Sequence, residues 1–283
     1  MSTTHDLDVP GAHLHYEVRG SGPLLLIVGA PMSAAHFGPL ADALAGDRTV
    51  VTLDPRGIAQ SRLDDPEQDS TPELRADDVA AIMDAMGADS ADVFGSSGGA
   101  VTGLALVARH PGRIRTLVAH EPPLLELLSD AAEQRGATDE IVETFHRDGI
   151  GAAWMKFMQN AGFDSAPGSG DDAHEAQPQP GEPSPQDIAD STRFFAHELR
   201  GTTRYLPDVA ALTDERTRVI VGIDADSGPL VTYRTSTALA DLIDAPTAEF
   251  PGDHGGFLGL PGEFADVLNR VLAGADATVS GTH

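Results

Sequence analysis

Gly95-Ser96-Ser97-Gly98-Gly99 is a G-x-S-x-G pattern with a hydroxyl at its centre. A chain that reverses sharply enough to present Ser97 at a sheet edge strains its own backbone, and the residues two positions away on either side have no room for a side chain. Gly95 and Gly99 meet that need. A serine hydroxyl attacks a carbonyl only when a base removes its proton, so a histidine must lie near it in space. Of eleven histidines, His254 is the one that follows a C-terminal apolar stretch in a glycine-flanked loop, Phe250-Pro251-Gly252-Asp253-His254-Gly255-Gly256-Phe257. A glycine-rich turn can serve packing alone and a loop histidine can be merely solvated; the two together point to nucleophilic catalysis. His36, His110, His120, His146 and His174 are read as structural or surface residues. The oxyanion that forms during attack needs two backbone N–H groups. Gly98, directly after the serine, offers one, and Ala30 in Gly29-Ala30-Pro31-Met32 offers the other, since Pro31 has no N–H.

Bringing these residues together requires a scaffold with one shared edge. Alternation over His13–Val18 and a Pro10-Gly11 turn predict a hairpin with Leu7–Val9. Leu24–Gly29 and Arg48–Asp54 are continuous apolar runs, as expected of strands buried on both faces, with a helical pattern around Leu40–Leu44 between them. The alternation continues through helix Glu73–Met86, strand Ala91–Gly95, helix Gly98–His110 and strand Ile114–His120. It resumes with strand Arg218–Gly222, helix Thr235–Ile243, strand Thr247–Pro251 and helix Pro261–Leu272. This order predicts an α/β protein with an open, mostly parallel sheet flanked by helices.

Pro122–Asp214 interrupts the series. Helical patterns at Asp139–His146, Ala152–Asn160 and Ile188–Leu199 surround Asp164–Gln186, which has no Val, Ile, Leu or Phe and is expected to be a mobile loop. Trp154, Phe157, Met158, Phe194 and Phe195 fit either the private core of a helical cap or its underside, facing the strand ends where open sheets bind ligands. The expected organisation is a core from 1–121 and 215–283 and an inserted cap from 122–214, with a frayed tail after residue 274.

With the elbow, the Gly29-Ala30-Pro31 turn, the Asp54-Pro55-Arg56-Gly57 turn and the late histidine in this order, the chain resembles the α/β-hydrolase fold family over nearly its whole length outside the cap. It departs from many members at Val28, where they carry histidine, and at Ala59, where they often carry glycine. The resemblance implies a Ser–His–acid triad. Most members place the acid after the strand before the histidine's strand, where Asp224 and Asp226 are available, although the usual position is Ala225. Glu121, at the strand end in His120-Glu121-Pro122-Pro123, is the competing choice. There the elbow and strand end look like those of the zearalenone-type lactonases. A glutamate leaving an apolar strand before two prolines has few structural tasks, whereas the aspartates could cap the next helix or stay in solvent, so Glu121 is preferred.

Composition narrows the partners. Forty-four acidic residues against eighteen basic ones give a formal charge of -26, which repels nucleic acid and anionic membrane surfaces. No cysteine is present, so disulfides, thiolate nucleophiles and Cys-ligated metals are excluded. The chain shows no signal-peptide pattern and no apolar run of about 18 residues, so a cytoplasmic protein is expected. Nothing in the sequence sets the oligomeric state, and a homodimer is compatible with it. The expected activity needs no metal or other cofactor: a serine hydrolase cleaving a neutral, fairly apolar ester or lactone through an acyl-enzyme. A ligand receptor with vestigial hydrolysis, a perhydrolase, a C–C bond hydrolase or a thioesterase are the alternatives.

Overall fold

The structure, a computed structural model, describes residues 2–163 and 183–274. The tail and most of the stretch expected to be a mobile loop lie outside the described residues.

The first half of the chain builds β1 (Ser2–Val9), β2 (Ala12–Gly20), β3 (Leu24–Val28), α1 (Gly38–Leu44), β4 (Thr49–Leu53), β5 (Arg62–Leu63), α2 (Pro72–Ala85), β6 (Ala91–Ser96), α3 (Gly98–Arg109) and β7 (Ile114–His120). Helices α4 (Ala131–Asp148), α5 (Ile150–Ala161), α6 (Pro185–Arg193), α7 (Leu199–Thr203) and α8 (Val209–Leu212) precede β8 (Arg218–Asp224). Then come α9 (Val231–Ile243), β9 (Thr247–Phe250), α10 (Gly256–Gly259) and α11 (Pro261–Leu272).

The strands form one sheet in the order β1-β2-β4-β3-β6-β7-β8-β9, with β5 beside β2. β2 runs antiparallel to β1, β4 and β5, and every other neighbouring pair is parallel. Successive side chains of the central strands divide between two cores, as the two-residue period of a strand requires. Leu26 and Val28 of β3, Val93 of β6, Leu117 of β7 and Val221 of β8 pack with Val79, Leu104 and Leu239 of α2, α3 and α9. Leu25, Ile27, Phe94, Val118 and Ile220 face the other way, against Leu40 of α1 and Phe264 and Leu268 of α11. Burial on both faces is why these strands read as unbroken apolar runs. No helix among the described residues is long and apolar enough to cross a membrane.

The inserted helices hold a third core of Ile141, Val142, Phe194, Phe195 and Leu199. Several elements begin earlier than expected, β1 at Ser2, α4 at Ala131 and α9 at Val231, and α6 begins at Pro185, inside the expected loop. Ser184 accepts the Asp187 N–H, Asp187 accepts the Ser184 N–H in return, and Pro185 occupies the first turn. This reciprocal cap starts a helix whatever the composition upstream.

Candidate active site

Ser97 lies between β6 and α3 with φ 55° and ψ -122°. A left-handed φ on a residue with a side chain is strained, and the surroundings show what enforces it. A Cβ on Gly99 would lie 1.9 Å from Val28 O, and one on Gly95 would lie 2.5 Å from Gly99 O. Only glycine fits at either place. The Ser97 N–H donates to His120 O at 2.9 Å, fixing the turn against β7.

Glu121 stands one residue past β7, also with a left-handed φ of 46°, and is fully buried. Its Oε2 accepts from His254 Nδ1 at 2.5 Å and from Thr232 Oγ1 at 3.1 Å, while Oε1 accepts the Asp224 N–H at 3.1 Å. Burial alone would raise the carboxyl pKa, but the His254 hydrogen bond, the charges of His120 and His254 and the Asp224 N–H hold it down at about 2. An ionised carboxylate therefore sits under the imidazole, which leaves His254 Nε2 as the free nitrogen.

Asp224 does something else. Its Oδ2 accepts from His120 Nε2 at 2.8 Å, both side chains being fully buried, and His120 Nδ1 lies 3.0 Å from Ser96 Oγ. Burial opposes charge on His120, yet the charge and hydrogen bond of Asp224, with Glu121 beyond, hold its pKa above the ordinary value. The His120 ring stacks on His254, with centroids 6.1 Å apart and planes 17° from parallel. Asp226 is exposed. Neither aspartate caps α9, whose N-cap position is Leu230; Asp226 stays in solvent, the other place expected for it, and buried Asp224 takes neither expected task.

Ala30 and Gly98 meet across the β3 turn: a Cβ on Gly98 would lie 2.6 Å from Ala30 O. Asp54 ties that turn down, accepting the N–H of Ala34 at 2.8 Å and of Gln60 at 3.0 Å. Ala30, Ser97, Gly98 and His254 border one cavity of about 260 Å³. Trp154, Phe157, Met158 and Phe194 also border it, while Phe195 packs only within the inserted helices. Among the described residues Ser97 Oγ makes no hydrogen bond. A wider groove of about 1010 Å³, edged by Asp6, His15 and Arg62, contains none of these groups.

Residues 22–186 match the family model described as alpha/beta hydrolase fold. The chain is also 33% identical over 272 residues to the uncharacterized hydrolase YraK of Bacillus subtilis (strain 168), covering 94% of each protein. The chain belongs to the alpha/beta hydrolase fold family. A thermophilic esterase from Thermogutta terrifontis superposes on this hydrolase with a TM-score of 0.74 at 16% identity, over 97% of this chain and 100% of that one. Est816, described as an N-acyl homoserine lactone degrading enzyme, gives 0.69 at 20% identity, over 94% and 99%. At such identities these two likenesses speak for the fold.

Three features of the site were not legible in the hydrolase's sequence: the His120–Asp224 pair, the Thr232 bond to Glu121, and Glu198 on the cavity wall. His120 beside Glu121 offered a signal, because two titratable residues ending a buried strand need partners. Thr232 and Glu198 offered none.

Proposed function

We propose that this hydrolase cleaves carboxylic esters or lactones through an acyl-enzyme on Ser97. One observation carries the reading: a buried carboxylate bonded to the imidazole of His254, on a cavity that Ser97 also borders. His254 Nε2 takes the Ser97 proton as Oγ bonds to the carbonyl carbon. The N–H groups of Gly98 and Ala30 hold the oxyanion, and the imidazolium returns the proton to the departing alkoxide oxygen as the C–O bond breaks. Water, deprotonated by the same nitrogen, then attacks the acyl carbon and releases the acid with Ser97 restored. Glu121 orients the imidazole and stabilises its charged form.

Trp154, Phe157, Met158 and Phe194 on the cavity wall suit a neutral, largely apolar substrate, with helices α4 to α8 serving as its cap. Lactones are the sharper form of this reading, supported by the resemblance of the elbow and strand-end sequence to zearalenone-type lactonases and by the likeness in fold to Est816. A fluorophosphonate probe should label wild-type protein on Ser97 and fail to label Ser97→Ala. Undiminished labelling of the variant, located by peptide mass spectrometry, would remove Ser97 from the mechanism.

A further inference from the structure

Between α6 and α7 the helix widens into a π turn over Phe194–Glu198, closed by the Leu199 N–H on Phe194 O. Such widened turns gather at functional sites, and this one sets Phe194, Glu198 and Leu199 on the wall of the cavity that holds Ser97 and His254. The Glu198 side chain is 1% exposed, and neither of its oxygens has a hydrogen-bond partner among the described residues. Its closest cations, Arg75 Nη1 and Arg193 Nε, stand 3.9 Å away, outside hydrogen-bond reach.

Most neighbouring donors are committed elsewhere, but Arg193 Nε, 3.9 Å from Glu198 Oε1, has no partner among the described residues. Arg75 donates to Thr102 Oγ1, Ser70 O and Thr202 Oγ1, and Arg193 to the carbonyls of Pro66 and Gln68. The wall threonines also turn inward, Thr138 to Gln134 O, Thr203 to Leu199 O and Thr232 to Glu121. Glu198 is the one carboxylate among the described lining residues; Arg193 Nε could meet its Oε1 after a small shift, whereas Oε2 has as its nearest cation Arg75, which donates from each nitrogen elsewhere. A buried acceptor in that condition is destabilising unless something else supplies the donor.

We propose that Glu198 determines specificity by accepting a hydrogen bond from a hydroxyl or amide N–H that the substrate carries away from the bond being cleaved. The inference rests on the serine-hydrolase reading and names the substrate class within it: neutral esters or lactones with a hydrogen-bond donor in an otherwise apolar body. Burial raises the Glu198 carboxyl pKa while Arg75 and Arg193 oppose the rise, and in either protonation state an oxygen is left to accept. An ammonium group is disfavoured, because the same two guanidiniums would repel it.

The test is a matched series of p-nitrophenyl esters of graded acyl length, each ending in methyl, hydroxyl, primary amide or amine. With wild-type protein, hydroxyl or amide at one length should raise kcat/KM about tenfold over the methyl ester, the worth of a well-placed bond to a carboxylate. In Glu198→Leu no acceptor is left for the substrate's donor, and no donor for its lone pairs, so the gain should fall below about threefold. Labelling of Ser97 by fluorophosphonate in that variant, at whatever rate, shows that it folds. No gain at any length with wild-type protein overturns the proposal without any variant having to fold. So does a gain that Glu198→Leu keeps in full, or an equal gain for the amine. Loss of Ser97 labelling in wild-type protein would instead overturn the hydrolase reading beneath it.

Discussion

Replacing Glu121 by glutamine separates the two carboxylates that could serve His254. The carboxylate accepts at both oxygens, from His254 and Thr232 on one and from the Asp224 N–H on the other. An amide has a single acceptor oxygen. If that oxygen stays on His254, the NH2 meets the Asp224 N–H, donor against donor in a fully buried site. If it turns to Asp224, the NH2 faces His254 Nδ1 and selects the tautomer with the proton on Nε2, which cannot take the Ser97 proton. The first orientation costs a buried clash and the second costs the base, and in both the charge that stabilises the imidazolium is gone, so kcat should fall by about 10⁴, the size seen when a triad acid becomes its amide. That corresponds to about 5.5 kcal/mol of barrier. Asp224→Asn keeps an oxygen for His120 Nε2 and can direct its NH2 to the place of Asp224 Oδ1, which has no partner among the described residues. Its kcat should therefore stay within about tenfold of wild type, since the acid itself is untouched. Both variants would be assayed on a chromogenic ester, with melting temperatures to show that they fold. A collapse of turnover in folded Asp224→Asn, beside near-normal turnover in Glu121→Gln, would refute the assignment.

Two further outcomes follow from backbone and charge. Ala59 holds φ 51°, where an L side chain costs about 1–2 kcal/mol, and glycine returns roughly 0.5–1 kcal/mol of that as unfolded-state freedom. Ala59→Gly should thus raise stability by up to about 1 kcal/mol, read as a higher urea midpoint; a lower midpoint would show that the strain is absent. Glu121 has a folded pKa of about 2 against an ordinary value of 4.5, so its contribution is complete above the ordinary value and is lost as pH falls toward the folded one. The whole contribution is about 3 kcal/mol, with about 2 kcal/mol gone by about pH 3. Urea unfolding at neutral pH and near that acid pH should show a shallower loss for Glu121→Gln than for wild type, and equal losses would deny Glu121 the depressed pKa.

The strands were legible because each central one is buried on both faces, and the elbow because no residue but glycine fits at Gly95 and Gly99. β5, only two residues long, and α8 and α10, each four, are too short to repeat any pattern. The choice of acid shows more closely where sequence runs out. Asp224 stands one residue before the usual position and has the right chemistry, and only its fully buried bond to His120 shows that it is already engaged. That engagement bears on Glu121. Asp224 raises the His120 pKa, and the His120 ring stacks on His254 beside Glu121, where its influence helps hold the Glu121 carboxyl pKa down without taking up the oxygens that bind His254 and Asp224. The β8 aspartate then acts on the site through its charge balance, while the β7 glutamate keeps the direct bond to the base.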